Sequence, residues 1–473
     1  MKKNFNVILA LILISISSNI EATQNMAQIT KAYKDELITP QSSVAIHSTI
    51  PKRTLLFENE DLILVDVESI CYHIPLVDAI TNQVYPPIQE YIDETVVIQF
   101  FDHENLNLLN TKYIDLELPI FGGFFSTSDF YFVISARPQE QNISISNGLY
   151  SQSWQENEYL EVIRIDKYNK NFKLLNSASI IADEANIVEP FKSGNVAIAV
   201  LDNELLIHTS RTVFKDTTGE NKQAQFTFAV DINSMLAEVR LAGNSDWKQP
   251  NHVNQSLNQF VEFDGSQAIL LDHGNASPRE IILTKYDKGD AWTDETITVF
   301  QIPGQKNSAY TGLTIGGFEI ASSSYLTAIN SIDYDPRYQF TDLGITGLDK
   351  EERNIILYIT KKDSYITTPV NLTAYANTNK LGSTPKLVPI TNNKFMLMWM
   401  EFDDCTYDKN IDGGIEISAN KSSLKYVLVN DYGSQLTDIQ TFPEGNLSQF
   451  VQPIYIDNKV VWIAGQHYYS IDL

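Results

Sequence analysis

Hydrophobic and polar residues alternate along this chain in short bursts, and the bursts come in pairs. An apolar alternating stretch runs into a turn of Asn, Asp, Gly or Ser and then into a second apolar stretch. The unit reads TLLFENEDLILVDVE at 54–68, FFSTSDFYFVIS at 124–135, EPFKSGNVAIAVLD at 189–202 and VEFDGSQAILLDH at 261–273. It returns as FEIASSSYLTAIN at 318–330, PITNNKFMLMWM at 389–400 and IYIDNKVVWIAG at 454–465. A period of two interrupted by turn residues predicts a β-hairpin. The turns fall near 60, 127, 194, 265, 323, 393 and 458, spaced 58–71 residues apart. Each hairpin is followed by a second one, as at 160–178, 226–242 and 424–442. Four strands, A innermost to D outermost, repeated seven times predict an all-β, seven-bladed β-propeller.

The ends of the chain fit a closed ring. The seventh unit supplies strands A, B and C and then stops, leaving an outer edge to be covered. Residues 43–49 alternate and are apolar but have no inner partner, so they are expected to serve as strand D of blade seven. Lys2 and Lys3 precede an apolar run over 5–16, and a polar stretch ends at Ala22. That pattern predicts a signal peptide over 1–22, followed by a tail over 23–42 and a single propeller domain over 43–473. No later segment approaches the ~20 unbroken apolar residues of a spanning helix. The expectation is a secreted monomer, extracellular or periplasmic, with no transmembrane anchor.

Charge narrows the partners. The 473 residues carry 34 Lys+Arg against 59 Asp+Glu, a formal net charge of −25. Self-repulsion from polyanions excludes nucleic acid or an anionic membrane as the main partner. Cys71 and Cys405 are the only thiols. An oxidising compartment permits a bridge, but nothing in the sequence brings them together, and two buried thiols is the preferred reading.

The connections are asymmetric. A–B and C–D turns are short, while B–C connections read as loops over 68–94, 137–158, 203–224, 273–279, 332–353 and 402–422. The D–A connection at 243–258 is also long. In a meander these two kinds of loop share one face, which is where function is expected. Candidate ligand-binding residues on that face are His208, Arg211, Trp247, His252, Asn258, Asp272, His273 and Arg279. An imidazole beside a carboxylate, as in Asp272-His273, has the composition of a general base or metal ligand. Taken singly, loop His and Arg more often bond neighbouring carbonyls. No Gly-x-Ser-x-Gly, His-Glu-x-x-His or Walker-type motif is present.

Two functional classes follow. The first is a binding protein that recognises an extracellular protein or glycan through the long-loop face. The second is a propeller enzyme, a hydrolase, lyase or sulfotransferase-like transferase. It requires His208, Arg211, Asp272, His273 and Arg279 to converge in one cleft. A calcium site is a further expectation. Asp408, Asn410, Asp412 and Glu416 stand at positions 1, 3, 5 and 9 of a D-x-N-x-D-G-x-x-E stretch with Gly413 at the turn. Hard oxygens at alternating positions on a tight turn suit Ca²⁺.

The stretches NHVNQSLNQFVEFDG at 251–265, LLDHGNASPREIIL at 270–283, TPKLVPITNNKFMLMW at 384–399 and QPIYIDNKVVW at 452–462 carry a resemblance. They resemble an uncharacterised family of exported bacterial β-propeller-like proteins. Members tend to have His-Ser-Phe at the positions of Gln255-Ser256-Leu257, which weighs against catalysis there. The resemblance implies export and a blade layout, and brings no chemistry.

Overall fold

The computed structural model describes residues 38–40, 53–77, 84–146, 149–155, 157–191, 196–212, 223–241, 259–274, 279–287, 294–305, 308, 310–341, 344–409 and 415–473. Their antiparallel sheets form a seven-bladed β-propeller. Blade one is Thr54–Glu58, Asp61–Val77, Val84–Asp102 and Leu108–Asp115. Blade two is Ile120–Ser126, Phe130–Ala136, Glu161–Asn169 and Leu174–Ile181. Blade three is Ala197–Leu201, Glu204–Thr212, Gln223–Asp231 and Ala237–Leu241, and blade four is Phe260–Asp264, Gln267–His273, Glu280–Asp287 and Asp294–Gln301. Blade five is Leu313–Ile320, Ser324–Ser331, Asn354–Lys361 and Thr367–Asn371. Blade six is Lys386–Thr391, Lys394–Lys409, Ile415–Asn430 and Gln440–Phe442. Blade seven contributes Ile454–Ile456, Lys459–Ala464 and His467–Asp472. The closing strand expected at 43–49 lies outside the described residues.

The A–B turns are tight for a local reason. Asn59 and Glu60 have φ of 52° and 67°, and Asp457 and Asn458 have 46° and 61°. Two consecutive left-handed residues are what a two-residue hairpin turn needs, because that backbone twist matches the strands it joins. Of the preceding tail, residues 38–40 are described. Ile38 is buried, packs in the cluster that holds Leu381 and Trp462, and donates its amide to the Leu447 carbonyl at 3.2 Å.

The core lies between blades, and strand alternation decides which residue enters which interface. In strand B of blade three, Leu205 and Ile207 pack with Phe132 and Ile134 of blade two, whereas Leu206 packs with Leu270 of blade four. In strand B of blade four, Leu270 faces blade three, while Ile269 and Leu271 pack with Leu313 and Phe318 of blade five. Inner strands approach closely. A Cβ on Gly316 of blade five would lie 1.9 Å from the Pro385 carbonyl beside blade six, so no side chain fits there.

Two segments expected to be loops are strands. Blade one pairs from Asp61↔Asp102 out to Val77↔Val84, and blade six from Lys394↔Asn430 out to Lys409↔Ile415. The blade-six extension reads as a loop because it is rich in charge. Yet Phe402, Cys405 and Ile417 are buried, so an apolar face continues along the hairpin while its polar residues look outward. The connection at 137–158 likewise holds a hairpin, Glu140–Ser146 with Leu149–Gln155, and that at 332–353 holds Gln339–Phe340 with Ile345–Thr346.

Candidate functional site

His208 and Arg211 lie within strand B of blade three, and Asp272 and His273 end strand B of blade four, so none of the four is a loop residue. All four are buried, as is Arg279. Alternation then distributes them over three interfaces.

Between blades three and four, His208 Nε2 meets Asp272 Oδ1 at 3.0 Å and His208 Nδ1 meets Thr227 Oγ1 at 2.8 Å. The imidazole and the carboxylate are both fully buried. Between blades four and five lies a larger polar cluster. Arg279 donates to the carbonyls of Pro303, Ser308 and Tyr310 at 3.1, 2.8 and 2.8 Å, and its guanidinium lies 5.0 Å from the Phe340 ring. Tyr310 donates its hydroxyl to Glu351 Oε1 at 2.5 Å, and Arg353 Nη2 lies 3.6 Å from the same oxygen. Burial first, then the charges of Arg279 and Arg353, push His273 down to about 3. The ring is therefore neutral at physiological pH. Burial raises the Glu351 carboxyl against the opposing pull of Arg353 and Tyr310. The hairpin Gln339–Thr346 covers this cluster, with Phe340 and Ile345 in a small apolar cap that also holds Tyr310 and Leu348.

Arg211 enters neither cluster. It shares a face with Leu205 and Ile207, toward blade two, and its guanidinium lies 5.1 Å from the Phe226 ring. Nη1 donates to the Gln225 carbonyl. The five residues that an enzyme needs in one cleft thus occupy three separate interfaces, held by backbone carbonyls and by each other. Trp247, His252 and Asn258 lie outside the described residues.

A pair of carboxylates escaped the sequence reading. Glu262 in strand A of blade four and Glu319 in strand A of blade five belong to touching innermost strands. Glu262 Oε2 accepts the Ile320 amide at 3.2 Å. Burial lifts Glu262 to about 7, against the pull of that amide and of Lys362. Glu319 is raised further, by burial and then by the neighbouring Glu262 charge. Both residues are half-buried, and the two neighbouring carboxyls each hold a proton more tightly than an ordinary carboxylate. The signal in sequence was a lone Glu inside otherwise apolar inner strands, FVEFD and LTIGGFEI, of adjacent units.

For the calcium expectation, Asp408 and Glu416 are directly opposite each other in the blade-six hairpin and both are exposed. Asn410 and Asp412 lie outside the described residues. Among the described residues no group of three or more His, Cys, Asp or Glu is placed to hold a metal. Cys405 is a buried free thiol, which burial above all pushes up to about 11. The side chain of Cys71 lies outside the described residues. Among the described residues no helix is long and apolar enough to cross a membrane.

No family model and no curated protein matches the chain. Among solved structures it is similar to the Synechocystis apocarotenoid oxygenase mutant Glu150Gln, at 8% identity and TM-score 0.32 over 85% of this chain and 74% of that one. It is similar to YjhT at 11% identity and TM-score 0.36, over 84% of this chain and all of the other. The Bacteroides ovatus xyloglucan-locus protein GH43B aligns at 10% identity and TM-score 0.29, over 71% and 57% of the two chains. At these values no activity is carried over.

Proposed function

We propose that this protein is an exported, monomeric binding protein that takes an extracellular protein or glycan on its long-loop face. The observation that supports this is the build of that face. Blades one, two, five and six each raise a hairpin on it, and no such hairpin stands on the opposite face among the described residues. The blade-one arm touches the blade-two hairpin, and Ile415 of the blade-six arm packs against the blade-five cap. Seven residues of the blade-six arm beyond Phe402 reach roughly 20 Å past the ring at ~3.3 Å per residue. Paired arms offer a rigid, indented surface at low ordering cost, which is what specific recognition requires. The test replaces 403–421 with a two-residue Asn-Gly turn and screens both chains against extracellular glycans and proteins. The truncated chain is expected to melt as a single transition and to lose its partner. Equal retention of every partner by both chains sinks the reading.

The enzyme reading keeps one support, the Glu262–Glu319 pair on the inner strands. Two carboxyls with separated proton affinities are the equipment of acid–base hydrolysis. A Glu262→Gln chain with hydrolase activity equal to the wild type on a glycoside panel removes that support. Calcium at Asp408, Asn410, Asp412 and Glu416 is also proposed, since the strand register sets the two outer carboxylates against each other. Millimolar Ca²⁺ is expected to raise the melting temperature and chelator to lower it. An unmoved melt counts against the site.

A further inference from the structure

Arg211 is fully buried, and its charge has no acidic partner among the described residues. Burial alone acts on its proton affinity and pulls it down. An isolated ion in a protein interior costs far more than folding can spare, so a buried guanidinium implies a counter-charge. The donors are disposed in a specific way. Nη1 is fixed on the Gln225 carbonyl and the face of the group lies toward the Phe226 ring, 5.1 Å away. Nε and Nη2 have no hydrogen-bond partner among the described residues. Those two nitrogens form the edge of arginine that grips two oxygens at once. A second, independent observation lies two residues earlier on the same strand face. Thr209 is fully buried, and its hydroxyl also has no hydrogen-bond partner among the described residues. Phe226 belongs to the apolar cluster that also holds Phe132, Ile134 and Ile207 between the two blades, and both Arg211 and Thr209 are fully buried, so a binding anion loses little to competing water.

We propose that the Nε–Nη2 edge of Arg211, with the Thr209 hydroxyl, binds a small carboxylate or an isosteric two-oxygen anion between blades two and three. Full burial limits the occupant to a small anion and excludes the acidic side chain of a large partner. Anchoring by Gln225 and Phe226 holds the fork in place before the anion arrives, which lowers the ordering cost. The site is independent of whatever the hairpin arms recognise.

The test exchanges formate or nitrate for chloride at fixed ionic strength and follows thermal melting and calorimetric titration of the full chain. Formate and nitrate, with two oxygens for two donors, are expected to raise the melting temperature saturably and to bind at least tenfold tighter than chloride. Arg211→Lys keeps the charge but loses the fork, and is expected to weaken formate about tenfold or more. Thr209→Val is expected to fold as the wild type does and to weaken formate a few-fold, which keeps the test decisive if arginine variants fail to fold. The absence of any saturable anion response in both the wild type and Thr209→Val overturns the proposal. So does a loss of stability in Asp216→Asn or Glu220→Gln equal to that of Arg211→Lys, because it identifies a counter-charge within the chain.

Discussion

Asp272 and His273 are neighbours in sequence and belong to different regions of the molecule. Asp272 faces blade three, where it closes a short chain with His208 and Thr227, a matched set of donors and acceptors. His273 faces blade five, where the guanidiniums of Arg279 and Arg353 lie near it and Arg353 stands 3.6 Å from Glu351. There Arg353 Nε and Nη1 and Glu351 Oε2 have no hydrogen-bond partner among the described residues. The first interface is a closed polar contact in an apolar seam; the second is a larger, incompletely paired cluster under a cap. Composition does not separate them, since both combine His with an acid. The difference is completeness of pairing, and pairing is what sets the energy of buried polar groups.

The largest effect should come from breaking the closed contact. Asp272→Ala leaves a buried imidazole without its acid and is expected to cost about 3–5 kcal/mol, read by urea denaturation. A loss below about 1 kcal/mol would erase the contrast between the interfaces. The next test uses pH on the other side of the strand. His273 has its proton affinity lowered in the fold, to about 3, from an ordinary value near 6.5. Such a group contributes stability that is present above pH ~6.5 and is lost as pH falls toward 3. His273→Gln should therefore flatten the acid limb of the melting curve, recovering roughly 3 kcal/mol at pH 4. The raised Glu262 has the opposite sign: its contribution is complete below the ordinary carboxylate range and fades as pH rises through about 7. The smallest effect is expected where pairing is incomplete. Arg353→Met with Glu351→Gln removes both ions together and should change stability by less than about 1 kcal/mol in either direction, because ion pairs in such places roughly balance their own desolvation. A double-variant loss as large as that of Asp272→Ala would mean that both interfaces are closed alike.

The blade repeat was legible because it is local. Alternation and turn chemistry recur about every 65 residues, and each hairpin needs only its own residues to form. The reading of long B–C loops failed at 402–422 because charge was taken for a loop, although Phe402, Cys405 and Ile417 preserve an apolar face. The site was less legible. Asp272-His273 looked like one catalytic pair, yet consecutive strand residues cannot face the same way. Asp272 instead meets His208, 64 residues earlier, in the preceding blade.

From the sequence alone came the seven hairpins, the tight A–B turns and the side on which the connections elaborate, all consequences of short-range periodicity. Only the tertiary structure decided which polar residues meet. That depends on how one sheet is rotated onto the next, a relation between residues some 60–70 positions apart that no local pattern encodes. It placed His208 against Asp272 and left Arg353 and Glu351 incompletely paired. It brought Glu262 near Glu319, and it turned Arg211 toward blade two with two nitrogens unpartnered among the described residues.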